Sequence, residues 1–180
     1  MDAAFLSLHK AKHLLAHVLV VAGARRWPQA LRGESGETAT GFYADFGLAE
    51  PPDEIERGLL AEEMARVLGN FRGFRDVQLT PREVRERFAG QPWKQRQVAV
   101  LAELGERIGC YELDGFLDVC DCALKSPREL RAVHPERFVL TGAAPVEWRD
   151  RTITRRLVRI AGEIFPSPPP CECCPPAGTD

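Results

Sequence analysis

The stretch His9-Lys-Ala-Lys-His13-Leu-Leu-Ala-His17 holds three of the chain's four histidines, spaced at i, i+4 and i+8. Apolar residues around it recur with helical period, which predicts a helix from about Asp2 to Ala24. On a helix this spacing stacks the three rings along one face. Because imidazole suits proton transfer and metal binding near neutral pH, the face predicts a reactive site if a carboxylate, lysine or cysteine meets it. The alternative is a solvated or packed face, and the apolar neighbours of His17 favour packing for that ring.

Length predicts a single domain, with two small domains as the alternative. The chain has 180 residues, which allows a sizeable core, and its formal net charge of -2 gives no overall attraction to nucleic acid or a membrane. We expect a domain at 1–165 and a disordered Pro-rich tail at 166–180. No leader segment is visible, and the apolar run from Leu14 to Ala24 is too short to cross a bilayer. We therefore expect a cytoplasmic protein whose six cysteines are free thiols, ligands or site residues rather than disulfides.

The remainder of the chain mixes helix and strand signals without regular alternation. Asp53 is a predicted N-cap, Thr80-Pro81 opens a helix with a capping box, and Gln91-Pro92 leads into another. Strands are predicted at 38–46, 74–79, 110–120, 137–146 and 152–165, with a Gly-rich loop at 33–36. This order predicts an α+β fold with a largely antiparallel sheet and packed helices.

A second candidate segment is Gly115-Phe-Leu-Asp118-Val-Cys120-Asp-Cys122. Alternation places Asp118 and Cys120 on the same side of a strand. A carboxylate and a thiol that face the histidine helix would suit acid–base chemistry or metal binding. Taken alone, these residues favour the simpler interpretation, a half-buried strand with an ordinary buried cysteine.

Arginines concentrate near the end of the predicted domain. On a strand they would form either a basic stripe that binds nucleic acid or a solvated sheet face, and the sequence leaves both open. They are Arg149, Arg151, Arg155, Arg156 and Arg159.

In order and spacing, these segments resemble the editing domain of bacterial-type threonyl-tRNA synthetase, the module shared with alanyl-tRNA synthetase and with free-standing relatives. The resemblance covers roughly residues 5–165. The motifs that carry it are His9-x-x-x-His13-Leu-Leu-x-His17, Gly41-Phe-Tyr-x-Asp45, Gln91-Pro-Trp-Lys94, Phe116-Leu-Asp118-Val-Cys120, Trp148-Arg149-Asp150 and Leu157-x-Arg159-Ile160-Ala-Gly162.

The resemblance implies hydrolysis of a wrongly charged tRNA, most typically seryl-tRNA of the threonine type. Binding alone separates the two amino acids poorly, because one methyl group is worth only about 1–3 kcal/mol. By position, the implied catalytic residues are His9, His13, Lys94, Asp118 and Cys120, and the implied substrate-binding residues are Tyr43, Arg149 and Arg159.

The implied chemistry is attack of a positioned water on the aminoacyl ester. A histidine or Lys94 would relay protons, and Lys94 or backbone donors would stabilise the oxyanion. Asp118 would hold the substrate amino group or orient a partner. We do not expect Cys120 to be a nucleophile, because nothing in the sequence pairs it with a dedicated base.

The chain departs from the motif after Cys120, where Leu124 stands in place of a histidine. In the alanyl branch that histidine completes a zinc site, so its loss predicts no tightly bound zinc and no other cofactor. A site of three ligands plus water stays chemically possible. Cys122 or His134 could supply a replacement ligand.

The expected function is a free-standing deacylase that acts in trans, with mischarged tRNA and an aminoacyl-tRNA synthetase as candidate partners and no role for DNA or membrane. Two alternatives stay open. The domain could have lost catalysis and bind tRNA or a protein, or it could deacylate tRNA that carries an unusual amino acid. The missing histidine at Leu124 favours the first of these alternatives.

Overall fold

The computed structural model describes residues 3–71, 75–103, 108–120, 137–149 and 154–165. The predicted tail at 166–180, the departure at Leu124 and the replacement ligands Cys122 and His134 lie outside these ranges. The elements are α1 (Ala3–Arg26), β1 (Arg32–Glu37), β2 (Gly41–Phe46), α2 (Glu54–Gly69), β3 (Arg75–Leu79), α3 (Pro81–Arg87), α4 (Pro92–Glu103), β4 (Ile108–Leu113), β5 (Phe116–Val119), β6 (Phe138–Arg149) and β7 (Thr154–Ile164).

The strands form two antiparallel sheets. Sheet order is β1-β2-β7-β6 in the larger sheet and β3-β4-β5 in the smaller one, and every strand pair is antiparallel. The predicted α+β class is confirmed, with two sheets where the sequence suggested one. Within the described ranges, none of the helices combines the length and the apolarity that a membrane crossing requires.

Helix α1 is the centre of the larger core. Its residues from Ala11 to Ala22 are buried on every side, including the polar residues Lys12, His13 and His17. It packs against α2, β1 and β2. Gly23 permits a close approach to the sheet, because a Cβ there would lie 2.3 Å from the Phe46 ring. The predicted histidine face therefore belongs to a central helix.

A second core lies between helices α3 and α4 and the smaller sheet. Its buried members are Val84, Phe88, Val98, Ile108, Cys110 and Val119. The predicted caps are confirmed, since Asp53 accepts a hydrogen bond from the Glu56 amide and Thr80 forms a complete capping box with Glu83. These caps fix where α2 and α3 begin.

Two sequence predictions were wrong in detail. The Gly-rich stretch 33–36 belongs to strand β1, which pairs with β2 through a register shift between Arg32 and Ser35. Tertiary pairing with β2 here outweighs the low strand propensity of glycine. The predicted strand 110–120 is a hairpin, β4 and β5, joined at Asp114 and Gly115, both with positive φ, which is the two-residue turn that Asp-Gly favours.

Helix α1 also contacts the β4–β5 hairpin at its turn. The Arg25 guanidinium donates to the Asp114 carboxylate at 2.7 Å and to its backbone carbonyl at 3.1 Å. A second ion pair joins Arg25 to Glu63 of α2. The C-terminal end of α1 is thereby tied to both the smaller sheet and α2.

Candidate functional site

A cavity of about 470 Å³ lies where α1, β1, β2, α4 and the end of β5 meet. Both sheets contribute to it, so neither half of the chain forms it alone. Its lining residues are His13, His17, Glu34, Ser35, Tyr43, Trp93, Lys94, Arg96, Gln97, Val100, Val119 and Cys120.

His13 is the centre of the polar contacts. Its ring is buried, and its Nδ1 lies 3.1 Å from Glu37 Oε1. Its Nε2 lies 2.9 Å from His17 Nε2 and 3.7 Å from Cys120 Sγ. The i, i+4 spacing on α1 produces the His13–His17 contact, and the first residue after β5 brings the thiol to it.

His17 is both a packing residue and a site residue. Its ring packs against Tyr111 with centroids 3.9 Å apart, as the sequence predicted, but it also lines the cavity and contacts His13. Burial lowers the pKa of His17, so its ring is neutral near neutral pH. A neutral ring has one donor and one acceptor nitrogen, so the two Nε2 atoms share a single proton.

His9 lies outside the cavity lining but contacts the site through Glu37. Its ring is about half exposed, and its Nδ1 contacts Glu37 Oε2. The two oxygens of one carboxylate thus contact both histidines of the His9-x-x-x-His13 motif. Because the Gly-rich part of β1 was predicted as a loop, no signal in the sequence indicated that Glu37 would face α1.

Lys94 and Asp118 form a buried ion pair. Lys94 Nζ lies 3.1 Å from Asp118 Oδ1, and the two side chains are 4% and 1% exposed. Asp118 also accepts a hydrogen bond from the Val119 amide at 2.8 Å. Lys94 lines the cavity and Asp118 does not, so the carboxylate acts on the site through the lysine.

The first turn of α4 is held against the larger sheet. The Arg32 amide of β1 donates to the Gln91 side chain at 2.9 Å. Trp93 packs edge-on against Trp148 of β6, with ring centroids 4.3 Å apart. These contacts fix the turn of helix from which Lys94 extends.

Arg159 supports Tyr43 rather than lining the cavity. Its guanidinium makes two hydrogen bonds of 2.8 and 2.9 Å to the buried Asp45 carboxylate, which raise the pKa of Arg159. It stacks 3.8 Å above the Tyr43 ring, and Tyr43 does line the cavity. Partial burial raises the pKa of Tyr43, so its hydroxyl stays a donor at neutral pH.

The structure does not bring Arg149 to the cavity lining. It lies at the exposed end of β6, where its guanidinium contacts Glu147 of the same strand at 2.6 Å. Cys110 is likewise absent from the lining, and burial raises the pKa of its thiol to about 12. Of the eight residues named from sequence, four line the cavity: His13, Tyr43, Lys94 and Cys120.

The donor set also fits a metal ion. Ring nitrogens of His13 and His17 and the Cys120 thiol lie within 4.8 Å of one another, a set of the kind zinc takes in three-ligand sites with an open position. Glu37 stands behind His13 as carboxylates often do behind ligating histidines. The sequence predicted no tight zinc because Leu124 replaces the motif histidine, whereas the structure offers His17 beside His13 and Cys120. That expectation stays a prediction.

The chain is similar in sequence to known proteins over most of its length. No family model matches the chain. It is 29% identical over 164 residues to threonine–tRNA ligase of Synechococcus sp. (strain CC9902) and 26% identical over 160 residues to that of Borrelia hermsii (strain HS1 / DAH). These matches cover 89% and 88% of this chain but 26% and 27% of the two ligases.

The chain is homologous to part of threonine–tRNA ligase. A third ligase, from Clostridium perfringens (strain 13 / Type A), is 28% identical over 159 residues. The chain spans about a quarter of the length of the threonine–tRNA ligases it matches. The resemblance seen in the sequence motifs is confirmed.

Proposed function

We propose that the chain hydrolyses the ester bond of a mischarged aminoacyl-tRNA, with seryl-tRNA of the threonine type as the first substrate to test. The observation that carries the proposal is one cavity lined by a histidine pair, a thiol and an ion-paired lysine. Homology to threonine–tRNA ligase supports a tRNA-linked substrate. A cytoplasmic location follows from the proposal, because charged tRNA is used there.

The histidine pair is the proposed proton acceptor. His13 and His17 share one proton across the 2.9 Å between their Nε2 atoms, so the pair takes a second proton when a water attacks the ester carbonyl. Burial keeps His17 neutral, which leaves the pair ready to accept. The same proton then passes to the departing ribose oxygen.

Lys94 is the proposed oxyanion stabiliser rather than the base. Its contact with Asp118 is an ion pair, so its ammonium is charged and carries no free lone pair for proton abstraction. A cation fixed in a cavity stabilises charge that develops on the carbonyl oxygen. Asp118 is a positioning residue for this cation, in line with the second of its two predicted roles.

Cys120 is proposed as a contact of the histidine pair and not as a nucleophile. Its thiol lies 3.7 Å from His13 Nε2, and that nitrogen is already engaged by His17. His13, His17 and Cys120 would hold a zinc ion if one binds, and that ion would supply a more acidic bound water and polarise the ester carbonyl. Ring nitrogens bound to zinc would have no lone pair left to accept a proton, so the lysine alone would keep its proposed role in that case.

Exposed arginines are proposed to contact the tRNA backbone. Arg155 and Arg156 of β7 and Arg149 of β6 are exposed near the end of the β6–β7 pair. Such contacts position nucleic acid through phosphate without reading sequence. Replacement of Arg155 and Arg156 together by alanine should weaken binding and reduce its salt dependence.

The experiment is release of labelled amino acid from seryl-, alanyl- and threonyl-tRNA by the purified chain. We expect seryl release, with His13→Asn slower by about 10²–10⁴, the contribution of a positioned base. Arg82→Met on exposed α3 is the control and should match wild type. No release from any of the three charged tRNAs overturns the proposal.

A second candidate function is binding of tRNA without turnover. The observation that favours it is Leu124 at the position where the resembling motif has a histidine. The same panel separates the two functions, because affinity for charged tRNA with no release supports the binding function alone.

A further inference from the structure

Glu37 is a half-buried carboxylate that none of the resembling motifs includes. It is the last residue of β1, and its side chain is 15% exposed. Its Oε1 lies 3.1 Å from His13 Nδ1, and its Oε2 contacts His9 Nδ1. One carboxylate therefore lies against both histidines of the motif, on the side of His13 away from Cys120 and His17.

We propose that Glu37 is a positioning residue for His13: it holds the His13 proton on Nδ1 and so leaves Nε2, which faces His17 and Cys120, as the acceptor nitrogen of the histidine pair. This role deepens the proposed deacylation and rests on it for its catalytic meaning. The geometric part, the tautomer of His13, stands on the contacts of Glu37 alone.

The tautomer of His13 follows from which atoms can donate a hydrogen bond. An ionised carboxylate only accepts hydrogen bonds, so His13 Nδ1 must carry a proton at the 3.1 Å contact. In a neutral ring the other nitrogen then has a lone pair, and Nε2 is the nitrogen that faces His17 and Cys120. The bond at one nitrogen of an imidazole fixes the chemistry of the other.

The carboxylate also affects charge at the site. When the histidine pair takes a proton, the resulting positive charge lies beside the Glu37 carboxylate. Charged and titratable groups around His13 come from four elements. They are His9, Lys12 and His17 on α1, Glu34 and Glu37 on β1, Lys94 on α4, and Cys120 after β5.

Lys12 holds the strand end on which Glu37 lies. It is buried, and its Nζ donates to the Thr38 carbonyl at 3.2 Å and to that of Ala39. The residue next to His13 on α1 thus anchors the residues next to Glu37. The contact between His13 and Glu37 is thus supported by a link between α1 and the end of β1. A carboxylate that fixes a tautomer needs such a support.

Two substitutions separate charge from hydrogen bonding. Glu37→Gln keeps an acceptor for His13 Nδ1 and removes the charge, whereas Glu37→Met has similar length and offers no acceptor. Glu163→Gln is the control, because Glu163 accepts a hydrogen bond from Thr40 at the end of the same hairpin and lies outside the cavity lining.

The first readout is the imidazole ¹⁵N spectrum of labelled protein near pH 7.5, with His13 assigned by its loss in His13→Asn. We expect wild type, Glu37→Gln and Glu163→Gln to show a proton on Nδ1 of His13. Glu37→Met should show a mixture of tautomers or a proton on Nε2. An unchanged His13 spectrum in Glu37→Met overturns the proposal, whether or not the protein deacylates tRNA.

The second readout is the rate of deacylation. Glu37→Gln should lower kcat about 10-fold and Glu37→Met about 100-fold, losses that do not exceed the 10²–10⁴ that a positioned base contributes, with KM nearly unchanged. A fall in kcat as large in Glu37→Gln as in Glu37→Met would overturn the hydrogen-bond argument.

Thermal unfolding guards against misfolding, and Glu37→Asp replaces any variant that unfolds. With a shorter reach, Asp at this position should give an intermediate rate and restore the Nδ1 proton in part. If wild type releases no amino acid but Glu37→Met changes the tautomer, the proposed function fails while the role of Glu37 in positioning His13 stands.

Discussion

The buried pair of Lys94 and Asp118 gives the sharpest test of the site's energetics. The side chains are 4% and 1% exposed and their charged atoms are 3.1 Å apart. Lys94→Met removes the cation and leaves a carboxylate in a place that water does not reach. Breaking a buried ion pair from one side costs about 3–5 kcal/mol. At about 2–4 °C per kcal/mol for a domain of this size, Tm should fall by about 6–20 °C.

The double variant Lys94→Met with Asp118→Asn should recover most of that loss. Asparagine keeps the oxygen that accepts from the Val119 amide, and no uncompensated charge remains. Both variants should lack deacylation, since the proposed oxyanion stabiliser is absent from each.

Urea and thermal denaturation followed by circular dichroism measure these differences. Arg82→Met is the control, because Arg82 and Glu86 form an exposed pair on α3 whose loss should cost no more than about 0.5 kcal/mol. A loss of stability in Lys94→Met below about 1 kcal/mol would refute the buried-pair reasoning. A double variant as unstable as the single one would refute it equally.

Three further outcomes follow from burial and packing. Burial lowers the pKa of His17. The unfolded chain therefore binds more protons than the folded chain below about pH 6.5, and the free energy of unfolding should fall as pH is lowered. His17→Gln should flatten that part of a curve of stability against pH. The Cys110 pKa of about 12 should leave its thiol unlabelled by iodoacetamide at pH 8 until the protein unfolds, as peptide mass spectrometry can show. Gly23→Ala should cost about 1–3 kcal/mol through its clash with Phe46, whereas Gly58→Ala in open space on α2 should stabilise by about 0.5–1 kcal/mol, both measured in urea.

The sequence predicted the parts of the fold that local rules determine. Apolar periodicity predicted α1, and cap residues predicted the starts of α2 and α3 within a residue. Strand β1 was not predicted because its composition, with Gly33 and Gly36, is typical of a loop, and only pairing with β2 makes it a strand. The contact of Glu37 with the site was not predicted for the same reason.

Motif order predicted which segments meet at the site, but not their individual contacts. His13, Lys94 and Cys120 converge as expected, because the resembling motifs carry that information. The second role of His17 depends on a ring orientation that periodicity cannot give. Spacing also does not show that Arg159 binds Asp45. Because of that contact, Arg159 supports Tyr43 instead of contacting substrate as expected.

The contacts of α1 with the β4–β5 hairpin at two points match a span of the helix to a span of the strand. Between His13 and Arg25 the helix advances about 18 Å at 1.5 Å per residue, and between Asp114 and Cys120 the strand advances about 20 Å at 3.3 Å per residue. Arg25 meets Asp114 at one end and His13 meets Cys120 at the other. Insertion of a single residue into β5 would move the Cys120 thiol about 3.3 Å past the His13 imidazole, while the Arg25–Asp114 contact stayed in place. The spacing of His13 and Arg25 on α1 therefore limits the length that β5 can have.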